Sequence, residues 1–337
     1  MSLRIYSDLS LVPPGGSHVV MLYPFWGKNP EDPADPNSGR FDRYANSGAA
    51  LLELVSLDDA SVAVFPTEWS ESAAHAAALF AEAAADAGKP TVFFAGADDH
   101  LAVRHEQALV FQTSIVRSRR GPNEFAQPAW SEDFVTEHLG GRLPIRAKGA
   151  LPVVGFCGLA PASRGVLRRF RTHPAHTAIR ARALRLLRQH DGVETNVVER
   201  KRFLGGAIDR GRLDVAAMQR VRSEYVANMV GSDYILCSRG AGNFSYRLYE
   251  TLSCGRIPIF VDTDCVLPYD FVAPWREHCV WVDESELESI GDKVADFHEG
   301  LDEGEFEELQ RACRRFWEQY IEPEGFFGHF HEHLVTA

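Results

Sequence analysis

Two short apolar runs, Tyr234-Ile235-Leu236-Cys237 and Ile257-Pro258-Ile259-Phe260-Val261, flank a polar turn rich in glycine and a stretch with helical character. Short apolar runs bounded by turn residues read as buried parallel strands. Between them, Tyr246 to Ser253 predicts a helix whose apolar face is Tyr246, Tyr249, Leu252 and Cys254, with Gly255 at its C-terminal cap. The whole is a strand, loop, helix, strand unit of about 30 residues, the length of one βαβ crossover. A chain carrying such a unit is committed to a parallel sheet covered by helices. The loop from Ser238 to Ser245 then falls at a strand's carboxyl end and a helix's amino end, where free amide groups and the helix dipole favour an anion such as a diphosphate.

The residues of that loop suit the task. Gly240 and Gly242 let the backbone approach a ligand, and Asn243 and Tyr246 lie in the same turn and helix start. Ser245 can cap the helix or donate to a phosphate. Arg239 and Arg247 can each grip phosphate oxygens in a two-pronged fork, and Glu250, three residues after Arg247 and on the same helix face, can accept ribose hydroxyls. An ordinary surface Arg–Glu pair and a plain helix cap are the structural alternatives for the same residues.

The same alternation runs through the rest of the chain. His18 to Pro24 reads as the first strand, Ala49 to Val55 as a helix, Ala60 to Pro66 as a second strand, Ser72 to Ala87 as a helix and Thr91 to Ala95 as a third strand. Leu109-Val110-Phe111 and a further short strand follow. A boundary near Lys148-Gly149-Ala150 precedes a second series. It comprises a strand from Leu151 to Phe156, a glycine and serine loop from Gly155 to Gly165, a helix over Val166 to Gln189, a strand over Val193 to Glu199 and a helix over Val215 to Met229. The opening unit comes next, and Val280-Trp281-Val282 is a late strand. Glu305 to Tyr320 is an acidic amphipathic helix with Phe306, Leu309, Cys313, Phe316, Trp317 and Tyr320 on one side. A length of 337 residues fits two such domains.

Several classes are excluded or discounted. The net charge of −12 argues against nucleic acid as a partner. Arginines at 164, 168, 169, 171, 180, 182, 185 and 188 recur at helical spacing and read mainly as a solvated face. No apolar stretch approaches the roughly 18 residues of a membrane span. The opening residues carry one arginine and no sustained apolar core, which predicts a cytoplasmic protein and leaves peripheral membrane contact open. The cysteines, among them Cys157, Cys237, Cys254 and Cys279, fall irregularly in apolar segments and read as buried thiols. His329, His331 and His333 lack a clear partner for zinc, and Asp262-Thr263-Asp264, which has the look of a divalent-metal triplet, is read as loop. No metal or other cofactor is expected.

The run Ser245-Tyr246-Arg247-Leu248-Tyr249-Glu250, then Gly255-Arg256-Ile257-Pro258-Ile259, then Leu267-Pro268-Tyr269 and Trp275, resembles the exostosin family of glycosyltransferases in order and spacing. More loosely, Asp59 to Pro66 resembles the family's Ala-Asp-x-Phe-Phe-x-Pro strand, and Gly96-Ala97-Asp98-Asp99-His100 resembles its Gly-x-Asp-His turn, without the aromatic-Trp-Asn-Arg lead-in. The resemblance implies a GT-B architecture: two Rossmann-like, doubly wound parallel-sheet domains facing a cleft. Residues 1–149 would form the acceptor side, 150–304 the nucleotide-sugar domain, and 305–337 a helix and tail crossing back. It implies inverting, metal-independent transfer of a sugar from a nucleotide-diphospho-sugar, UDP-linked, to a glycan, glycolipid or small-molecule hydroxyl. Animal and plant members are typically anchored in the Golgi by an N-terminal helix.

On this reading Arg239, Ser245 and Arg247 face the diphosphate and Glu250 the ribose. Gly158, Ser163 and Arg164 close the donor site from the first loop of the second domain. Glu68, Asp99 and His100, after the second and third strands of the first domain, are candidates for the base that activates the acceptor, with Asp99 and His100 leading because they match the family turn. A non-catalytic nucleotide-sugar or carbohydrate-binding module of the same fold, and an epimerase acting on the donor alone, are the alternatives.

Overall fold

The computed structural model describes residues 2–32, 35, 37–101, 103, 108–160, 175–209 and 212–336. The first sheet contains β1 (Leu3–Tyr6), β2 (Leu52–Leu54), β3 (Val62–Val64), β4 (Thr91–Ala95), β5 (Ala108–Gln112) and β6 (Glu124–Ala126), all parallel, in the spatial order β2-β1-β3-β4-β5-β6. The second contains β7 (Val153–Leu159), β8 (Glu194–Arg200), β11 (Tyr234–Cys237), β12 (Ile257–Asp262) and β13 (Val280–Asp283), also parallel, in the order β13-β12-β11-β7-β8. A small antiparallel hairpin of β9 (Ile208–Asp209) and β10 (Arg212–Leu213) stands apart. The described helices are α1 (Tyr23–Trp26), α2 (Asp42–Ser47), α3 (Ala74–Asp86), α4 (Phe134–His138), α5 (Ala175–Gln189), α6 (Val215–Val230), α7 (Tyr246–Ser253), α8 (Ile290–Glu299), α9 (Glu303–Tyr320), α10 (Pro323–Gly328) and α11 (His331–Thr336). Among the described residues no helix is long and apolar enough to cross a membrane.

In each sheet the strand order reverses beside its first strand, between β1 and β3 and between β7 and β11. In open parallel sheets, ligands sit in the crevice at the carboxyl ends of the strands where the order reverses. Two doubly wound parallel sheets of this kind, with the chain's end crossing back, are the GT-B architecture.

Two expectations for the first domain are corrected. The first strand is Leu3–Tyr6, not His18 to Pro24: that run forms a 3-10 turn (Val20–Leu22) followed by α1. Pro24 falls in the first turn of α1, where a missing N–H costs nothing, and Met21 and Leu22 are fully buried there. Periodicity alone does not separate a short buried strand from a short buried helical turn. Ala49 to Val55, expected as a helix, is a 3-10 turn followed by β2, which pairs with β1 through Leu3↔Leu52. Of the helix expected over Val166 to Gln189, residues 166–174 lie outside the described part.

The last two helices, α10 and α11, cover the first sheet. Phe326, Phe327 and Phe330 pack with Phe94 and Phe111, and Trp130 donates its indole N–H to the Ile321 carbonyl at 2.9 Å. The domains also meet directly. The Arg117 amide donates to the Asp264 carbonyl (2.8 Å), its guanidinium pairs with Asp262 (2.7 Å), and Arg120 pairs with Asp270 (2.7 Å).

His333 is fully buried against Phe111, Phe125, Tyr269 and Phe271. Burial pushes its imidazole down to about 3. An unfolded histidine takes up its proton near 6.5, so the unfolded chain binds that proton first and stability falls as pH drops below about 6.5. At pH 5 this amounts to about 2 kcal/mol. Urea unfolding at pH 7.5 and pH 5 should show that extra loss in the wild type and not in His333→Leu; equal losses in both proteins would refute the assignment.

Candidate functional site

The crevice of the second sheet is built around Phe156, fully buried on β7. The Arg247 guanidinium, from the second residue of α7, lies 4.3 Å from its ring centroid and 5.7 Å from that of Tyr225 on α6. Its Nη2 donates to the Cys157 carbonyl at 2.9 Å. Gly158 is required where this arginine crosses the strand end, because a Cβ there would stand 2.8 Å from Nη2. Arg180, reaching from α5, spans the gap between the two strand ends. Nη1 donates to the Leu159 carbonyl (2.9 Å), Nη2 to the Arg239 carbonyl (3.1 Å) and Nε to the Ser238 hydroxyl (3.3 Å). Its guanidinium is 5.7 Å from the Phe156 centroid. Burial, reinforced by the nearby Arg247, pushes its pKa down to about 10. Among the described residues neither arginine forms an ion pair with a carboxylate. Two desolvated guanidiniums side by side, with only the Glu250 charge nearby acting on Arg247, form a site that an anion would complete.

The turn itself divides its residues. Arg239 folds back, Nη2 donating to the Ala241 carbonyl (2.9 Å), with a buried Nε that makes no hydrogen bond. The Gly240 amide donates to the Phe244 carbonyl (3.0 Å). Gly242 presses on the first domain: a Cβ there would be 2.9 Å from the Asp98 carbonyl and closer still to the Phe244 ring. Asn243 is buried, and its polar atoms all meet protein. Its amide donates to the Ser114 hydroxyl (2.9 Å), Nδ2 to the Ile115 and Asp264 carbonyls (3.1 and 3.0 Å), and Oδ1 accepts from Thr263 (2.8 Å). Asn243 thus joins the two domains beside the cleft. Ser245 occupies the N-cap of α7 without a side-chain capping bond. Tyr246 turns its ring into the cleft and is 48% exposed, so it leaves the apolar face assigned to it.

Glu250 is buried behind these residues, accepting from the Tyr225 hydroxyl at 2.5 Å and standing 3.5 Å from Arg222. Arg222 in turn donates through Nε to Glu132 (2.6 Å). The carboxylate therefore belongs to a network that holds α7 against α6. Ser163 and Arg164 lie outside the described residues. In the acidic triplet, Asp262 pairs with Arg117 and Asp264 accepts from the amide and hydroxyl of Ser118, so its two carboxylates join the domains, while Thr263 donates to Asn243. Among the described residues no group of three or more His, Cys, Asp or Glu is placed to hold a metal ion.

Facing this crevice is a cavity of about 870 Å³ at the carboxyl ends of β3 to β6, walled on the far side by Phe244 and Tyr246. Glu68 stands in it, open to the cavity but crowded enough that burial raises its pKa above the ordinary carboxylate range, against a hydrogen bond from the Gly96 amide. Asp98 also lines the cavity. Asp99 is exposed and is not part of the lining, and His100 turns under the loop, Nε2 meeting Glu124 (2.8 Å) and Nδ1 accepting from the Val116 amide (3.4 Å). The structure thus places Glu68 in the cleft and the other two candidates outside it.

Arg180 is the main residue that sequence reasoning passed over, as one of a row of arginines. A signal was present. Arg180 falls on the stripe of the buried Ala183, Leu184 and Leu187, while Arg182 and Arg188 fall outside it and are exposed.

No family model matches the chain. Among curated proteins it is 27% identical over 100 residues to Exostosin-1 of Drosophila melanogaster, a match covering 30% of this chain and 13% of that protein. It is 38% identical over 63 residues and 33% identical over 66 residues to two probable glucuronosyltransferases of Oryza sativa subsp. japonica, covering 19% and 20% of this chain. The matches span only 13%, 14% and 16% of these relatives' lengths. Among solved structures, a GtfA/B complex bound to UDP and GlcNAc overlaps 87% of this chain and 59% of that one at 8% identity, but a TM-score of 0.28 is too low to carry an argument. The fold is of the GT-B kind, two doubly wound parallel sheets with crevices at their strand ends. In sequence the chain is exostosin-like.

Proposed function

We propose that this chain is an inverting, metal-independent glycosyltransferase that moves a sugar from a nucleotide-diphospho-sugar, UDP-linked, to a hydroxyl of a glycan, glycolipid or small-molecule acceptor. The observation that carries the proposal is the Arg180–Arg247 pair on Phe156 at the strand-order reversal, neither arginine forming an ion pair with a carboxylate among the described residues. In the reaction the acceptor oxygen bonds to the anomeric carbon from the side opposite the diphosphate and gives its proton to Glu68. The bond from the anomeric carbon to the phosphate oxygen breaks, and the nucleoside diphosphate leaves with its electron pair. The arginines and the amino end of α7 absorb the charge that develops there. The roles of Arg239 and Ser245 at the diphosphate and of Glu250 near the ribose belong to the same proposal. Glu250 retains free lone pairs while holding Tyr225.

Arg247→Ala should weaken UDP binding about 100-fold, the loss of one desolvated charge-assisted contact, measured by calorimetry in excess EDTA. Unchanged affinity would overturn the donor assignment. Turnover that vanishes in EDTA and returns with Mn²⁺ would overturn metal independence.

A further inference from the structure

The cavity of the first domain differs in character from one end to the other. Its ionisable side chains include Arg40, stacked 4.8 Å from the Phe41 centroid, and the carboxylates of Glu68 and Asp98, the last beneath Gly242 of the donor loop. Where the turn after β1 and the approach to α3 line the cavity, Leu11, Pro13, Ala73 and Ala76 stand among Ser17, Ser70 and Ser72 and bring no carboxylate, lysine or arginine, and the Ser70 and Ser72 hydroxyls bond to one another at 3.0 Å. Two large aliphatic side chains adjoin these segments in sequence: Leu9, two residues before Leu11, and Leu79, three residues beyond Ala76 on α3, are each 54% exposed. An apolar ligand that reached past Leu11 and Ala76 would take such side chains out of water.

From this placement we infer that the acceptor is amphiphilic: its hydroxyl-bearing head sits by Glu68, and an aliphatic or aromatic arm leaves between the turn after β1 and α3, across Leu11 and Ala76. A purely polar glycan end would leave Leu11, Pro13 and Ala76 without an apolar partner. A cavity of about 870 Å³ accommodates a sugar-sized head and a short arm together. The inference rests on the glycosyltransferase reading above for the identity of the ligand as an acceptor.

The test is binding of n-alkyl β-D-glucopyranosides, methyl to octyl, at concentrations below micelle formation, with UDP binding measured on the same protein samples. Kd should fall about 2- to 4-fold per added carbon until the arm passes the rim. Ala76→Glu should flatten the series. Leu79→Lys, a change on the exposed surface that the fold tolerates, should weaken octyl binding and leave methyl binding as it was. A flat series in the wild type, or octyl binding undiminished in both variants, overturns the inference even where UDP binds normally. Loss of UDP binding by the wild type overturns the donor reading, and the alkyl series still decides for or against the apolar arm.

Discussion

Glu68→Gln should lower kcat about 10³-fold while leaving UDP affinity unchanged. General-base catalysis is worth roughly 10² to 10⁴ in rate, and Glu68 is the one base candidate of the three that stands in the cleft. The amide keeps the shape of the side chain and removes only its capacity to take a proton. In the wild type, kcat should rise with pH through a value above the ordinary carboxylate range, because the base works deprotonated and the cavity walls raise its pKa. That acid limb should vanish in the variant. His100→Gln should change kcat less than tenfold, since both ring nitrogens of His100 already meet protein groups. If Glu68→Gln retained full turnover while His100→Gln abolished it, the base would have to be sought in the Gly96–His100 turn.

Arg314→Leu should destabilise the fold by about 3 kcal/mol in urea unfolding, the cost typical of leaving one member of a buried ion pair alone. Arg314, on α9, holds Asp133 with two bonds of 2.6 and 2.9 Å, donates to the Ser253 carbonyl (2.9 Å) and lies 4.6 Å from the Trp317 centroid. Burial works against the Asp133 charge, yet the two bonds from Arg314 outweigh it and hold the carboxyl below its usual range. Removing the guanidinium therefore strands a carboxylate. The double variant Asp133→Ala, Arg314→Leu should recover part of the loss, because the buried carboxylate is then gone and Glu318, the other partner of Arg314 at 2.7 Å, is 44% exposed and solvated. A double variant less stable than the single one by the full cost of a second deletion would mean that the pair acts only as two separate packing residues.

The second domain was the more legible part of the sequence. β11, Tyr234–Cys237, and α7, Tyr246–Ser253, fall where the apolar runs and turn residues put them. Strands buried on both faces leave uninterrupted apolar runs, and the turns between them carry glycine. The first domain was harder because His18 to Pro24 is as apolar as a strand but packs as helical turns. The Tyr44 hydroxyl donates to the Met21 carbonyl there, a contact over a distance that no local pattern reports. The site divides in the same way. Arg247 at the crevice was visible because helix start and strand end are close in sequence. Arg180 and the burial of Glu250 depend on α5 and α6 folding back, and the turn from Asp98 to His100 gave no hint of which side chain would face in.

The aromatic faces of Phe94, Phe111 and Phe125 are covered in large part by Phe326, Phe327, Phe330 and His333. On a ribosome moving at roughly 5 to 20 residues per second, about 10 to 40 seconds separate the emergence of the sheet from that of its lid. Throughout that interval the first domain presents a bare aromatic surface to the cell. The first sheet therefore cannot complete its core until the last helices have been made.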